Sequence, residues 1–139
     1  MRLSVAEPLR HKGRLELHVK AKFLASYTSK ILCNEKIFDP KIDEDLIRHI
    51  RNTAREIYIK SWQANKINAG TNYLRRASRY CLQEEALSLC DDLHASIGIA
   101  KQVFHLRGKR MKYWSSLISE VRVLLQGWIE SDVKRYGQP

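Results

Sequence analysis

The amino-acid sequence predicts an all-α protein arranged as an up-down-up-down antiparallel four-helix bundle. Glycine and proline are scarce, with 6 and 3 among 139 residues, and alternating Val-rich runs are absent, which disfavours strands. Apolar residues recur at three- and four-residue steps in four segments, which short connections separate. We expect one domain over residues 14–136, preceded by a flexible basic leader over residues 1–13 that contains Pro8 and Gly13.

The first helix is predicted from about Arg14 to Cys33, and the second begins at Asp43 and ends before the break over residues 68–72. Asp43 is a suitable N-cap for helix two, and Glu44 and Asp45 in its first turn suit the positive end of the helix dipole. The residues expected on the inward faces of helices one and two are Leu17, Ala21, Leu24, Thr28 and Ile31, widened by Phe23 and Tyr27, and Leu46, Ile50, Thr53, Ile57, Ser61 and Ala64.

A break over residues 68–72 precedes helix three, predicted from Tyr73 to Leu106, and helix four follows from Lys109 to Val133. Gly127 lies inside helix four, where it costs about 1 kcal/mol of helix propensity, and we expect another backbone or a large ring to approach it closely. The predicted inward faces of helices three and four are Leu74, Ala77, Cys81, Leu82, Ala86, Leu89, Leu93, Ile97, Ala100 and Phe104, and Trp114, Leu117, Ile118, Val121, Leu124, Leu125, Trp128 and Ile129.

The charge balance favours a polyanionic partner. Lysine and arginine number 25 against 15 aspartates and glutamates, which gives a formal net charge of +10 with neutral histidine. A surplus of this size attracts nucleic acid or other polyanions to the surface. The alternative interpretation is that the charge serves solubility alone.

The composition also predicts a cytoplasmic protein without a membrane span or a bound metal. No apolar stretch approaches the roughly 20 residues that cross a bilayer, and the N-terminus lacks an apolar signal-peptide core. Cys33, Cys81 and Cys90 lack the CxxC spacing of zinc sites, so we expect three reduced, mostly buried thiols.

The sequence contains few candidate catalytic or cofactor-binding motifs, so it predicts neither an enzyme nor a cofactor. The histidines form no HExxH or di-iron pattern, and no glycine-rich phosphate loop occurs. Asp91, Asp92 and His94 are close in sequence, but neighbouring positions on a helix point about 100° apart and do not converge. We interpret them as a solvated face.

Two basic clusters are stronger signals. Arg75, Arg76 and Arg79 lie in the first turns of helix three, where the dipole opposes cations, so we expect an anionic or acidic partner there. Protein docking is favoured slightly over nucleic acid, because arginine pairs in a bidentate way with carboxylates. The second cluster, which we expect to bind RNA, is Arg107, Lys109, Arg110 and Lys112.

Aromatic residues follow the second cluster directly. Tyr113 and Trp114 next to four cations suit phosphate contacts combined with base stacking. The alternative is that Trp114 belongs to the core and that the cations are a solvated turn. A further aromatic pair, Tyr58 and Trp62 on helix two, is either an interface or the edge of the core.

Helices three and four resemble the accessory variability determinant family of diversity-generating retroelements. Gln126 stands where the first glycine of that family's Leu-Gly-Gly-Trp ending would be. The residues that carry the resemblance are Tyr73, Leu74, Ala77, Leu82, Leu93, Ile99, Ala100, Tyr113, Glu120, Val121, Leu124, Leu125, Gly127, Trp128 and Ile129.

The resemblance implies a four-helix protein without catalytic activity of its own. It further implies a basic homopentamer that binds the element's reverse transcriptase and its template RNA or cDNA, and that supports error-prone copying in mutagenic retrohoming. The alternative function, from a different class, is a basic helical-bundle scaffold whose partner is an acidic protein.

Overall fold

The computed structural model describes residues 7–70 and 72–139, with the side chains of residues 7–11 left out. Four helices make up this part of the chain: α1 Glu7–Leu32, α2 Pro40–Asn65, α3 Tyr73–Phe104 and α4 Gly108–Tyr136. No strand occurs among the described residues, so the all-α prediction is confirmed for them. Residues 1–6 of the predicted leader lie outside the described residues, whereas residues 7–13 belong to α1.

Each helix packs against two others. α1 contacts α2 and α4, and α3 contacts the same two helices from the other side. The connection between α1 and α2 also enters the core, because the Phe38 ring packs edge-on against Phe104 at 5.4 Å and against Trp114 at 6.1 Å. No described helix is both long and apolar enough to cross a membrane.

Helix α4 follows the predicted apolar stripe closely. Leu117 and Leu124 are half-buried and flank the stripe. The side chains of α4 that are buried are Trp114, Ile118, Val121, Leu125, Trp128 and Ile129. The expectation for Gly127 is wrong, because no atom of the described residues lies within 4 Å of the position that a Cβ would occupy there.

The start of α3 departs from the predicted stripe. Leu74 is 75% exposed and Cys81 is exposed, whereas Arg79 and Gln83 are buried in their place. The physical reason is that both polar side chains donate hydrogen bonds to the Asp132 carboxylate of α4, which offsets the cost of burying them. From Ala86 onward the buried residues of α3 are apolar or small.

Side-chain caps define where α2 begins. Asp39 is the N-cap, and its Oδ1 accepts a hydrogen bond from the Lys41 amide at 2.9 Å. At Asp43 the backbone leaves the helical region, with φ −160° and ψ 83°, so the helix has a kink there. Asp43 Oδ1 accepts from the Leu46 amide at 3.0 Å, which confirms the predicted cap for the long part of α2.

Candidate nucleic-acid interface

Four cations at the N-cap and in the first turns of α4 form a surface that we call the cationic turn. Among the described residues, none of these four side chains forms an ion pair. Three of these side chains are exposed and that of Arg110 is half-buried. The residues of the cationic turn are Arg107, Lys109, Arg110 and Lys112.

The N-terminus of α4 adds to the positive potential of the cationic turn. Arg107 occupies the N-cap position, makes no side-chain cap hydrogen bond, and is followed by a first turn without an acidic residue. The first amides of a helix have no partner within the helix, and they carry the positive end of its dipole. An oxyanion such as phosphate suits this position.

Aromatic rings lie directly beside the cationic turn. Tyr113, 47% exposed, packs edge-on against Tyr27 of α1 with ring centroids 5.2 Å apart. Tyr27 in turn stacks on Phe23 at 6.3 Å, and Phe23 is half exposed. We call these three residues the aromatic strip. Burial raises the pKa of Tyr27 and the positive charge of Arg110 opposes the shift, so the two surfaces are electrostatically coupled.

Trp114 is not part of this surface. Its side chain is fully buried, and its Nε1 donates a hydrogen bond to Thr28 Oγ1 of α1 at 3.0 Å. The interpretation of Trp114 as a core residue is therefore the right one, and the interpretation as a stacking platform is wrong. Of the two aromatics that follow the cations in sequence, only Tyr113 is exposed.

The arginines at the start of α3 do not share one free face. Arg75 is exposed and forms no ion pair within the described chain. Arg76 is half-buried, donates to the carbonyl oxygen of Tyr136, and holds its guanidinium 5.5 Å from the Tyr73 ring centroid. Tyr73 and Leu74 beside them are both largely exposed.

The prediction that Arg79 contacts a partner is corrected by its burial. Its Nε and Nη2 donate to the two carboxylate oxygens of Asp132 at 2.8 and 2.9 Å, and its Nη1 donates to the Ile67 carbonyl at 3.1 Å. The guanidinium also lies 4.9 Å from the Trp128 ring centroid. With these contacts made and only 6% of the residue exposed, Arg79 holds α3 to α4.

The acidic pair of α3 does not converge with His94, as the helical spacing predicted. The three side chains have separate partners, so they form no common acid–base site. Asp91 accepts from Arg122 Nε at 2.8 Å, Asp92 lies 2.9 Å from His49 Nε2 and accepts from Ser96 at 2.8 Å, and His94 Nε2 lies 3.3 Å from the Ser115 carbonyl.

The electrostatics of Asp92 fit a structural contact between α2 and α3. Burial by itself would raise the pKa of Asp92, but the hydrogen bonds with His49 and Ser96 and the charge of a protonated His49 hold it below its ordinary value. The Asp92 carboxylate is therefore ionised at neutral pH, and His49 and Ser96 already engage it. Among the described residues, no group of three or more potential ligands could hold a metal ion.

The cysteines are more exposed than the sequence predicted. Cys33 and Cys81 are exposed and only Cys90 is buried, and all three are free thiols. Burial, with a smaller contribution from Asp91, raises the pKa of the Cys90 thiol to about 12. Cys90 is therefore unreactive in the folded protein, whereas the other two thiols are accessible.

The sequence places Phe23 wrongly and leaves the position of Trp62 open. Phe23 was expected to widen the core face of helix one, yet it is half exposed in the aromatic strip. Trp62 of the aromatic pair on α2 is 45% exposed, and Lys66 Nζ lies 4.2 Å from its ring centroid, whereas Tyr58 packs half-buried against the core. The available signal for Phe23 was its position about 160° around the helix from the buried Ala21.

Comparison of the chain with protein-family models, with curated proteins and with solved structures gives no match. The cationic turn and the aromatic strip adjoin each other and consist of exposed and half-buried side chains, and they are chemically suited to one class of ligand, a single-stranded polyanion with stackable rings.

Proposed function

We propose that the chain is a non-catalytic accessory subunit of a diversity-generating retroelement, in which it binds the reverse transcriptase and the template RNA or cDNA and supports error-prone cDNA synthesis. The observation that carries the nucleic-acid part of the proposal is that the aromatic strip adjoins the cationic turn, since Tyr113 follows Lys112 in α4 and packs against Tyr27. The resemblance of helices three and four to the accessory variability determinant family supports the retroelement context.

In this proposal the cationic turn and the aromatic strip contact different parts of a single strand. Lys109, Lys112 and the free amides at the start of α4 contact phosphates, which contributes affinity without sequence preference. Tyr113 and Tyr27 offer ring faces and edges to bases that are not paired. The site therefore favours single strands, whose bases can leave the stack.

The reverse transcriptase is proposed to dock at the start of α3. Arg75 is exposed there beside Tyr73 and Leu74, 59% and 75% exposed. An arginine flanked by exposed apolar side chains is typical of a protein interface. The same surface also favours the second candidate function, a scaffold that binds an acidic protein.

The proposal includes an up-down-up-down order of the helices and a homopentamer in the cytoplasm. The order is supported by cross-helix pairs that run in opposite directions along the chain: Lys20 with Glu120, and Thr28 with Trp114. The pentamer comes from the family resemblance. The exposed Leu15 and Val19, one turn apart on α1, supply apolar surface for contact between copies.

Co-expression with the reverse transcriptase of a neighbouring retroelement tests this function. We expect the enzyme to co-purify with the chain and to carry template RNA, which sequencing of the bound RNA identifies. Arg75→Glu should abolish co-purification of the enzyme. Arg55→Glu, which reverses an exposed charge on a different helix, α2, should not. Capture of an acidic protein without reverse transcriptase or RNA would favour the scaffold function instead.

A further inference from the structure

A cavity of about 670 Å³ opens at the other end of α4 from the cationic turn. It lies between the first described turns of α1, the C-terminal half of α4 and the connection from α2 to α3. A volume of this size falls within the range of small-molecule sites in proteins. The cavity is separate from both surfaces that the proposed function uses.

The floor of the cavity is apolar, and Gly127 leaves it open. Val123, Leu124 and Trp128 line the cavity around Gly127, and no atom lies within 4 Å of the position where a Cβ of residue 127 would be. The missing side chain at residue 127 leaves space beside Trp128 that a methyl group would barely reduce and that a large side chain would fill.

The rim of the cavity is cationic. Arg14 of α1 and Lys66 at the end of α2 both line it, and neither forms an ion pair within the described chain. Asp132 is the one carboxylate among the lining residues, and the bidentate contact with Arg79 already neutralises it. The charge that remains at the rim therefore attracts an anion.

The wall of the cavity holds a buried donor without a partner. Trp128 is only 8% exposed, and its Nε1 has no hydrogen-bond partner among the described residues. The Trp128 ring is held in place by the Arg79 guanidinium at 4.9 Å and, edge-on, by His18 at 6.5 Å. Buried indole N–H groups ordinarily have an acceptor, so the wall lacks one.

From these observations we propose that the cavity binds a small organic anion with an apolar body. The apolar body lies on the floor at Gly127, and the anionic group contacts Arg14 and Lys66. The buried ion pair of Arg79 with Asp132 fixes the wall before the ligand arrives, which lowers the ordering cost of binding.

The test uses 8-anilinonaphthalene-1-sulfonate, a fluorescent aromatic sulfonate, with the full chain. We expect saturable binding of one probe per chain. Gly127→Phe fills the open floor and should abolish binding, whereas the matched control Gly127→Ala adds a methyl group that meets nothing and should change the dissociation constant less than about twofold. Lys66→Ala should weaken binding about tenfold, as expected for one charge-assisted hydrogen bond.

Competition and protein concentration complete the test. Adenosine monophosphate carries an anionic group on an aromatic body, and decanoate carries one on an alkyl body. Displacement of the probe by either compound supports the site and shows which kind of apolar body it accepts. The proposal is wrong if neither displaces the probe, or if Gly127→Phe binds normally while its near-ultraviolet circular dichroism is that of the parent chain. It is also wrong if probe binding disappears as protein concentration rises, because the cavity would then be an interface between copies.

Discussion

Arg79 of α3 and Asp132 of α4 form a bidentate ion pair whose side chains are 7% and 14% exposed. Gln83 donates a third hydrogen bond to the same carboxylate at 2.9 Å. One acidic side chain thus satisfies two polar residues that occupy core positions of α3. Buried charges of this kind are stable only as a set, because each member offsets the desolvation of the others.

Asp132→Ala should therefore destabilise the protein strongly. The variant leaves the Arg79 guanidinium and the Gln83 amide buried without their acceptor, and breaking a buried pair in this way costs about 3–5 kcal/mol. Urea denaturation measures the change in the free energy of unfolding. The control is Asp91→Ala, which removes an exposed ion pair with Arg122 and should cost less than about 1 kcal/mol. Equal losses for both variants would contradict this account of the pair.

Gly127→Ala should stabilise α4. The position is helical, a Cβ there meets no other atom, and alanine exceeds glycine in helix propensity by about 1 kcal/mol. For a chain of this size the melting temperature should rise by about 4 °C in differential scanning calorimetry. A lower melting temperature would mean that a close approach to Gly127 exists after all.

The three thiols should react in two classes. Cys33 and Cys81 are exposed and should react with Ellman's reagent within the time of mixing at pH 8. Cys90 is buried with its pKa raised to about 12, so it should react only as the protein unfolds. Titration in buffer and then in guanidinium chloride counts each class. Three rapidly reacting thiols in the native protein would show that Cys90 is accessible.

Stability should fall as the pH drops below 6.5 because of His18. Burial, together with the charge of Arg14, lowers the pKa of His18 from its ordinary value of 6.5, so the unfolded chain binds a proton more readily than the folded protein. The contribution of neutral His18 is therefore complete above pH 6.5 and is lost as the pH falls toward the lowered value. Denaturation curves at several pH values should show this loss for the parent chain and a smaller one for His18→Phe. An identical pH dependence in both proteins would contradict the assignment.

The sequence predicts α4 and the long part of α2 well, since their buried positions are apolar at helical spacing and Asp43 has a local partner in the Leu46 amide. It fails at the start of α3, where the buried residues are Arg79 and Gln83. Their burial depends on Asp132, 53 residues away from Arg79 along the chain. No periodicity within one helix carries that information.

The candidate interface is predictable from the sequence only in part, because it also depends on contacts between different helices. The cations of the turn are visible as a sequence cluster, and Tyr113 adjoins them. Tyr27 and Phe23 come from another helix, and they reach the cluster only through the packing of α1 on α4. The choice between Tyr113 and Trp114 also depends on that packing, because Thr28 of α1 supplies the acceptor that holds Trp114 inside.

The most direct test of the account is the salt dependence of binding to a labelled single-stranded RNA, measured by fluorescence anisotropy. Contacts with three or four phosphates predict that log affinity falls with log salt at a slope of about −2 to −3. Lys109→Ala combined with Lys112→Ala should make the slope shallower by about 1.4, whereas the charge-matched pair Arg55→Ala with Lys134→Ala should leave it unchanged. Affinity that does not respond to salt, or equal effects of the two double variants, would contradict the assignment of the cationic turn as the nucleic-acid site.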